Sequence, residues 1–525
     1  TTKQIPASDI STYAGGGGGG SFDATADGAI SAGDLVALKS DGDIEKCEAI
    51  QSGKAFGTFS SPNATEIEAG YFVATGFDPD NNKIAVGYRD DGNSNYATVV
   101  LGHITNATNH TLSFGTPVAV ESAAMTGPGT LGGGIVYDTN VDRFVFTYFT
   151  NSGFRAVVFT VNDAASNTIT KGSAQAIDNS TAGYGGAVFD SNANRVLVAY
   201  EDTDDSNKLI TQAFTARGGS DNDIQDIGAK FEITANTAAP GLCFDSNDNK
   251  VMIVYRNTAD SNYPYARALT IDNSDNSITG GTAVRLSNAT QITSYTDKAP
   301  VVIHDSAKNQ NMFYHQGYSG GGEILPFTSA SGTITAGTRS TIDNSTLTDS
   351  MELGSYVTGH YDPDSGKIIL FHGYSGMWAF AGSLSGSGAS LEFTVDAKAK
   401  IANKNGATNG GYATYLSSCY DTNSNKSFLS YKSGTGDTGY FGLLPVVPKN
   451  ADKFIGIAND AISNDATGTV TTSGGVGTGQ SSLTIGSEYY VSAGGELVTD
   501  SGTIFAGKAL TATTLLINAP KVDAT

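Results

Sequence analysis

The chain has 525 residues, of which 65 are glycine and 13 proline; 16% are charged, and the formal net charge is −22. That length exceeds one ordinary compact core, so the chain holds several domains or a repeat architecture. Abundant glycine with few charges describes short strands and polar turns rather than helices, and the negative charge argues against nucleic acid or an anionic membrane as partners.

Residues 1–6 lack the basic and apolar regions of a signal peptide, and no run is long and apolar enough to span a bilayer. Six consecutive glycines at 15–20 make residues 1–20 an extended N-terminal arm ending in a flexible linker. Phosphate binding by this run would need a strand–glycine–helix context, which the flanking residues do not provide. Further on, residues 30–42 parallel residues 485–495: each reads as a strand, a glycine turn and a second strand. Neither stretch carries enough apolar surface to stand alone. The expectation is one small split β domain from residues 21–53 plus 450–525, with residues 54–449 inserted into it and leaving it by two close ends.

Within the insertion one register recurs. An aromatic or histidine followed by aspartate occurs at Phe77-Asp78, Tyr137-Asp138, Phe189-Asp190, Phe244-Asp245, His304-Asp305, Tyr361-Asp362 and Tyr420-Asp421. The aspartates lie 60, 52, 55, 60, 57 and 59 residues apart. Five positions after each stand Lys83, Arg143, Arg195, Lys250, Gln310, Lys367 and Lys426, and ten positions after, Tyr88, Tyr148, Tyr200, Tyr255, His315, His372 and Tyr431. The unit reads as a strand, a turn capped by the aspartate carboxylate, and a continuously apolar return strand of the kind buried on both faces. The aspartate and the basic residue flank the turn and are expected to form an exposed pair worth roughly 0–1 kcal/mol. A third strand and a fourth announced by glycine complete each unit, as at Phe114-Gly115, Gly280-Gly281 and Gly337. Four strands in 50–60 residues, seven times over, predict a seven-bladed β-propeller in an all-β chain. The seventh unit stops after its third strand, so residues 54–59 are expected to close the ring.

The stretches Phe454-Ile455-Gly456-Ile457-Ala458-Asn459-Asp460-Ala461-Ile462-Ser463, Gly468-Thr469-Val470, Leu483-Thr484-Ile485-Gly486-Ser487-Glu488-Tyr489-Tyr490-Val491 and Ala506-Gly507-Lys508-Ala509-Leu510 resemble modules in structural proteins of tailed, especially marine, bacteriophages. The turn Tyr361-Asp362-Pro363-Asp364-Ser365-Gly366-Lys367 is similar to repeats in the same kind of protein. The resemblance implies a fibre, spike or decoration role on a virion surface, and it brings no functional residues with it.

Chemistry is sparse. Cys47, Cys243 and Cys419 are too few and too scattered for a disulfide framework. His304, His315 and His372 fall in repeat columns, which leaves His103, His110 and His360 without companions at triad or metal spacing. A glycosidase would need a carboxylate pair, and the sialidase type an Asp-box, which the turns at 362–367 do not fit. Turns such as Asp78-Pro79-Asp80 alternate oxygen ligands but lack the late glutamate of a calcium loop and end on a cation. No catalytic residue, metal or cofactor is therefore expected. A glycan could stack on Trp378, Tyr374 and Tyr318. The functional expectation is a non-enzymatic tail fibre or receptor-binding spike, homo-oligomeric, held to other virion proteins by residues 1–20 and the split domain and facing a host-surface glycan. A capsid decoration or head-fibre protein and a secreted glycan-active enzyme are the alternatives.

Overall fold

The computed structural model describes residues 20–518 apart from 40–41, 48–66, 107–110, 127–132, 180–181, 220–221, 235–239, 290, 293–299, 317–321, 343–355, 364, 374–375, 404–412, 425, 434–437, 446–452, 492–496 and 500–503. The described chain is all-β, in antiparallel sheets mostly of four or five strands, and the described helices are single 3-10 turns at Thr258–Asp260 and Gly388–Ser390. It divides into two compact parts, Ala55–Val446 and Thr1–Lys54 with Val447–Thr525.

In the first part each repeat opens on a hairpin in which the aspartate stands directly opposite the residue five positions on, from Asp78 facing Lys83 to Asp421 facing Lys426. Four residues lie between them, and the last adopts a left-handed backbone: Asn82, Asp142, Asn194, Asn249, Asn309 and Gly366, with φ between 53° and 63°. Asparagine, aspartate and glycine tolerate that conformation, which is why no other residue type holds this place. The aspartate accepts from the turn's own backbone: Asp190 from the N–H groups of Asn192 and Ala193, both at 2.9 Å, and Asp421 from those of Asn423 and Ser424 at 2.8 and 3.1 Å.

The expected exposed pair across the turn is not what forms. All seven aspartates are at most 1% exposed, and the basic side chains reach elsewhere. Lys83 donates to Asn167 at 2.8 Å and Arg143 to Asn222 at 2.7 Å, while Arg195 donates to Asn276. Each acceptor belongs to the next repeat, is buried, and has its own left-handed backbone in the turn between third and fourth strands. Gln310 does the same through the Gly386 carbonyl at 3.0 Å, whereas Lys367 stays in its own repeat on Ser383 and Asp396. A backbone-directed aspartate and a cross-repeat cation replace the surface ion pair.

The announcing glycine has a related cause. A Cβ at Gly115 would lie 2.3 Å from the Asn167 carbonyl oxygen, and one at Gly228 2.2 Å from that of Asn276. The glycine lets the next repeat's turn come close, and the fourth strand breaks there into two short segments on one third strand, such as Thr168–Lys171 and Gln175–Asp178 on Gly153–Asp163.

Apolar cores form between neighbouring repeats. Val145, Phe154 and Val158 pack with Val196, Val198 and Tyr200, and Leu197 and Ala199 with Ile253 and Tyr255. The first strand of every repeat lies against that of the next, and the first strand of the seventh, Ala413–Asp421, lies against Ile67–Asp78 of the first. Phe428 of the seventh repeat shares a core with Ile84, Val86 and Val100 of the first. The proposed closing segment, residues 54–59, lies outside the described residues. Among those described, Ile67 and Glu68 pair with Gly439 and Thr438 on the edge of the seventh sheet.

The second part contains two five-stranded sheets with one strand order. The first runs Ser21–Thr25, Thr467–Thr471, Phe454–Ala458, Leu35–Leu38, Ile44–Lys46, so that strands from both ends of the chain share it. The second runs Val476–Gly477, Leu515–Ile517, Ile504–Ala509, Glu488–Val491, Leu497–Val498. Both carry the same bulge: Leu35, Val36 and Ala37 face Ile457, Gly456 and Phe454, as Glu488, Tyr489 and Tyr490 face Lys508, Gly507 and Phe505. Gly33 and Gly486, with φ of 85° and 84°, donate to the Ala458 and Ala509 carbonyls at 2.8 and 2.9 Å. The part is thus one module twice over, echoed in Phe454-x-Gly456-x-Ala458 and Phe505-x-Gly507-x-Ala509. The repeats enter between the third and fourth strands of the first copy.

The buried turn yields a direct expectation. Asp190→Ala leaves the N–H groups of Asn192 and buried Ala193 without their carboxylate acceptor and should cost about 1–3 kcal/mol, read as a lower denaturant midpoint. Asn194→Gly should leave the midpoint near wild type, whereas Asn194→Val should lower it.

Candidate functional site

The histidines are held inside the repeats. His360 is half-buried, with Nδ1 3.0 Å from the Ser418 hydroxyl and Nε2 2.8 Å from that of Ser427, and burial lowers its pKa to about 3. It is a neutral packing group rather than a base. His304 contacts Asn311 at 3.0 Å and Asn247 at 2.9 Å, His372 meets the Tyr314 hydroxyl at 2.6 Å, and His103 meets Asn167 at 3.0 Å. His110 lies outside the described residues. Burial also raises the thiol pKa of Cys243, and that of Cys419 to about 12, so neither is a thiolate at neutral pH. Among the described residues no three His, Cys, Asp or Glu side chains gather as metal ligands.

Trp378 is 8% exposed and packs in a core with Phe380, Ile368 and Leu370. Its place on the third strand turns the ring toward protein, so an open stacking face is not there. Tyr374 and Tyr318 lie outside the described residues. Both fall in the connection between second and third strands, after Lys367–Gly373 and Gln310–Gln316. That is the end of the hairpin opposite the aspartate turn.

At this end the repeats differ among themselves. The position after the tyrosine column reads Arg89, Phe149, Glu201, Arg256, Gln316, Gly373 and Lys432, although the column itself holds only tyrosine and histidine. Repeats 3 and 4 give it the most chemistry. Glu201 is 9% exposed, and burial pushes its carboxyl up to about 7, opposed by the nearby Arg256. Arg256 is half-buried, and its Nε, shielded from solvent, has no hydrogen-bond partner among the described residues. Tyr184 stands in the bulge opposite Glu201 and acts electrostatically on Arg256. In repeat 4 the Arg285 guanidinium lies 3.3 Å from the centre of the Tyr263 ring and 3.2 Å from Asp260, which also accepts from the Tyr265 hydroxyl at 2.7 Å. Asn257 caps the short helix that carries Asp260. Together these groups offer donors, acceptors and aromatic surface, the inventory of a polar recognition site. The sequence reading missed them because it looked for fixed columns, and this position is defined by departing from one.

No protein-family model matches the chain, and no curated protein does. Solved structures do resemble it. A candidate 6-phosphogluconolactonase from Bacteroides fragilis aligns over 74% of this chain and 97% of its own, with 13% identity and a TM-score of 0.43. The Aleuria aurantia lectin in complex with Fucα1-6GlcNAc aligns over 62% and 97%, with 13% identity and a TM-score of 0.36. A protein from Lactobacillus plantarum aligns over 74% and 99%, with 10% identity and a TM-score of 0.40. Function does not follow from likeness of this order.

The Glu201 environment sets a pH dependence. Its folded pKa lies above the unfolded value, so the native state binds more protons in between, and the stability this contributes is fully present below about 4.5 and lost as pH rises through about 7. Glu201→Gln should therefore unfold at a higher denaturant concentration than wild type at pH 8, with the difference vanishing at pH 4; equal midpoints at pH 8 would contradict the assignment.

Proposed function

We propose that this chain is a non-enzymatic virion protein, a tail fibre or receptor-binding spike, whose repeats form a seven-bladed β-propeller presenting one end to a host-surface glycan or protein. The observation that carries this reading is the contrast between the two ends of the hairpins. At one end the aspartate and the left-handed residue recur because they close the turn, and in the first repeats the cation at its end reaches the next repeat. At the other, the position after the tyrosine column changes in charge, size and polarity from repeat to repeat. A surface relieved of holding the fold is where recognition accumulates. The resemblance of residues 454–458 and 506–510 to phage structural modules supports the virion setting, with the split domain as the seat and residues 1–20 as an arm to other virion proteins.

The test is binding by purified full-length protein to an array of bacterial surface polysaccharides and to whole host cells, with antibody labelling of particles. Saturable binding is expected, weakened at least tenfold by Arg256→Ala or Tyr263→Ala, with label at the tail. Release of new reducing ends from a polysaccharide would overturn the non-enzymatic reading. Label confined to the capsid would replace attachment with decoration.

A further inference from the structure

We infer that the outer face of the second terminal module is the surface through which two copies of this chain associate. The argument starts from the duplication. In the first module, Leu35, Ala37, Phe454 and Ile457 point out of the sheet, and the second module covers them: they share one core with Leu483, Tyr489, Val491, Leu515 and Ile517. The contact is close, since a Cβ on Gly477 would lie 2.6 Å from the Ile457 side chain.

Register fixes the corresponding residues of the second module. Glu488 stands for Leu35, Tyr490 for Ala37, Phe505 for Phe454 and Lys508 for Ile457. Leu516 stands for Thr471, and Val476 for Ser21. Among the described residues no third module lies on this face. Val476 and Leu516 are cross-strand partners and are 46% and 39% exposed. Ile485, 69% exposed, and Leu510, 45% exposed, belong to the same module, so it holds four of the five large apolar side chains most exposed among the described residues. Where this module shows valine and leucine, the first carries serine and threonine. A clustered apolar face of this kind marks an interaction surface.

The occupant is argued from the same comparison. The first module's other side is already sealed, because its sheet curls until Ala26 bridges Ile44 around a core of Ala24, Ile30, Val36 and Val470. A second copy therefore cannot extend the stack with its own first module, and face must meet face about a two-fold axis. The surface is self-complementary for this. Glu488 and Lys508 are cross-strand neighbours, as are Tyr490 and Phe505, whose rings lie 5.4 Å apart. An axis along the strands between them sets Lys508 of one copy against Glu488 of the other, and Tyr490 against Phe505. One small sheet gives a modest contact area, so association should be weak, about micromolar or weaker.

Sedimentation of the full chain from about 1 to 200 µM, the range set by that expectation, should show a reversible monomer–dimer equilibrium. Leu516→Glu with Val476→Glu should weaken it at least tenfold without moving the thermal midpoint, since both side chains are exposed. Ser21→Glu, at the matching place in the first module, should leave it intact. Lys508→Glu should weaken association, and adding Glu488→Lys should restore it. A chain that stays monomeric throughout, or dimerises undiminished with Glu at 476 and 516, or fails to recover on charge exchange, would overturn the proposal.

Discussion

The fold depends on a buried aspartate. A hairpin that turns in four residues leaves backbone N–H groups without strand partners. One carboxylate answers two of them. Its desolvation is a real cost, visible in the raised pKa values of Asp138 and Asp190, whose largest cause is burial and whose main opposing influence is the pair of turn N–H groups. The same turn is then read by the following repeat. Tyr137 donates to Asp80 at 3.2 Å, and His304 reaches Asn247 at 2.9 Å while Asn311 donates to Asp245 at 2.7 Å. At Tyr137 and His304 the ring before the aspartate is therefore more than a core residue: its polar tip engages the previous repeat's turn.

Two further contacts act in the same direction. Lys83, Arg143 and Arg195 of the basic column reach forward to a buried asparagine, and two members of the tyrosine column reach backward to a carboxylate on the preceding repeat's fourth strand: Tyr148 to Glu121 at 2.9 Å and Tyr200 to Asp178 at 2.7 Å. Arg155 supports the first carboxylate at 2.7 Å, and Lys230 the second. Every repeat thus depends on its neighbours for polar satisfaction as well as for apolar burial, so a lone repeat would lose both. This also accounts for histidine in place of tyrosine at 315 and 372. The column requires a buried ring with a polar edge, and the Tyr314–His372 contact shows imidazole meeting that requirement.

Legibility followed periodicity. The aspartate, basic and tyrosine columns could be read because their spacing is constant within a hairpin, and register bears out each hairpin. The fourth turn position, asparagine in most repeats but Asp142 and Gly366 in two, was nearly as periodic, but abundant Asn and Asp in every loop hid it. Asn167, Asn222 and Asn276 were harder, because the distance from the aspartate to the third turn varies with the loops between. The module duplication was half visible at residues 30–42 and 485–495. Its other half lay across the insertion, where glycine and alanine carry the resemblance and hydrophobic pattern says little. Trp378 misled for the opposite reason: a lone tryptophan near glycine and tyrosine invites a stacking role, yet its strand position commits it to the core.

The insertion obeys one geometric condition on both sides. A domain can occupy a loop of another only if its entry and exit lie close together. The repeats meet this by backbone pairing, because Ile67 and Glu68 at the entry bond to Gly439 and Thr438 near the exit, within a strand whose remainder builds the first sheet. The host module meets it separately, since Ala37 pairs with Glu45 on one side and with Phe454 on the other. Each side fixes its own ends, so neither has to hold the other's open. In the second copy the same connection runs only from Val498 to Ile504, the length it has when nothing is inserted. The site of insertion is therefore a loop that the module closes whether it is short or carries the whole set of repeats.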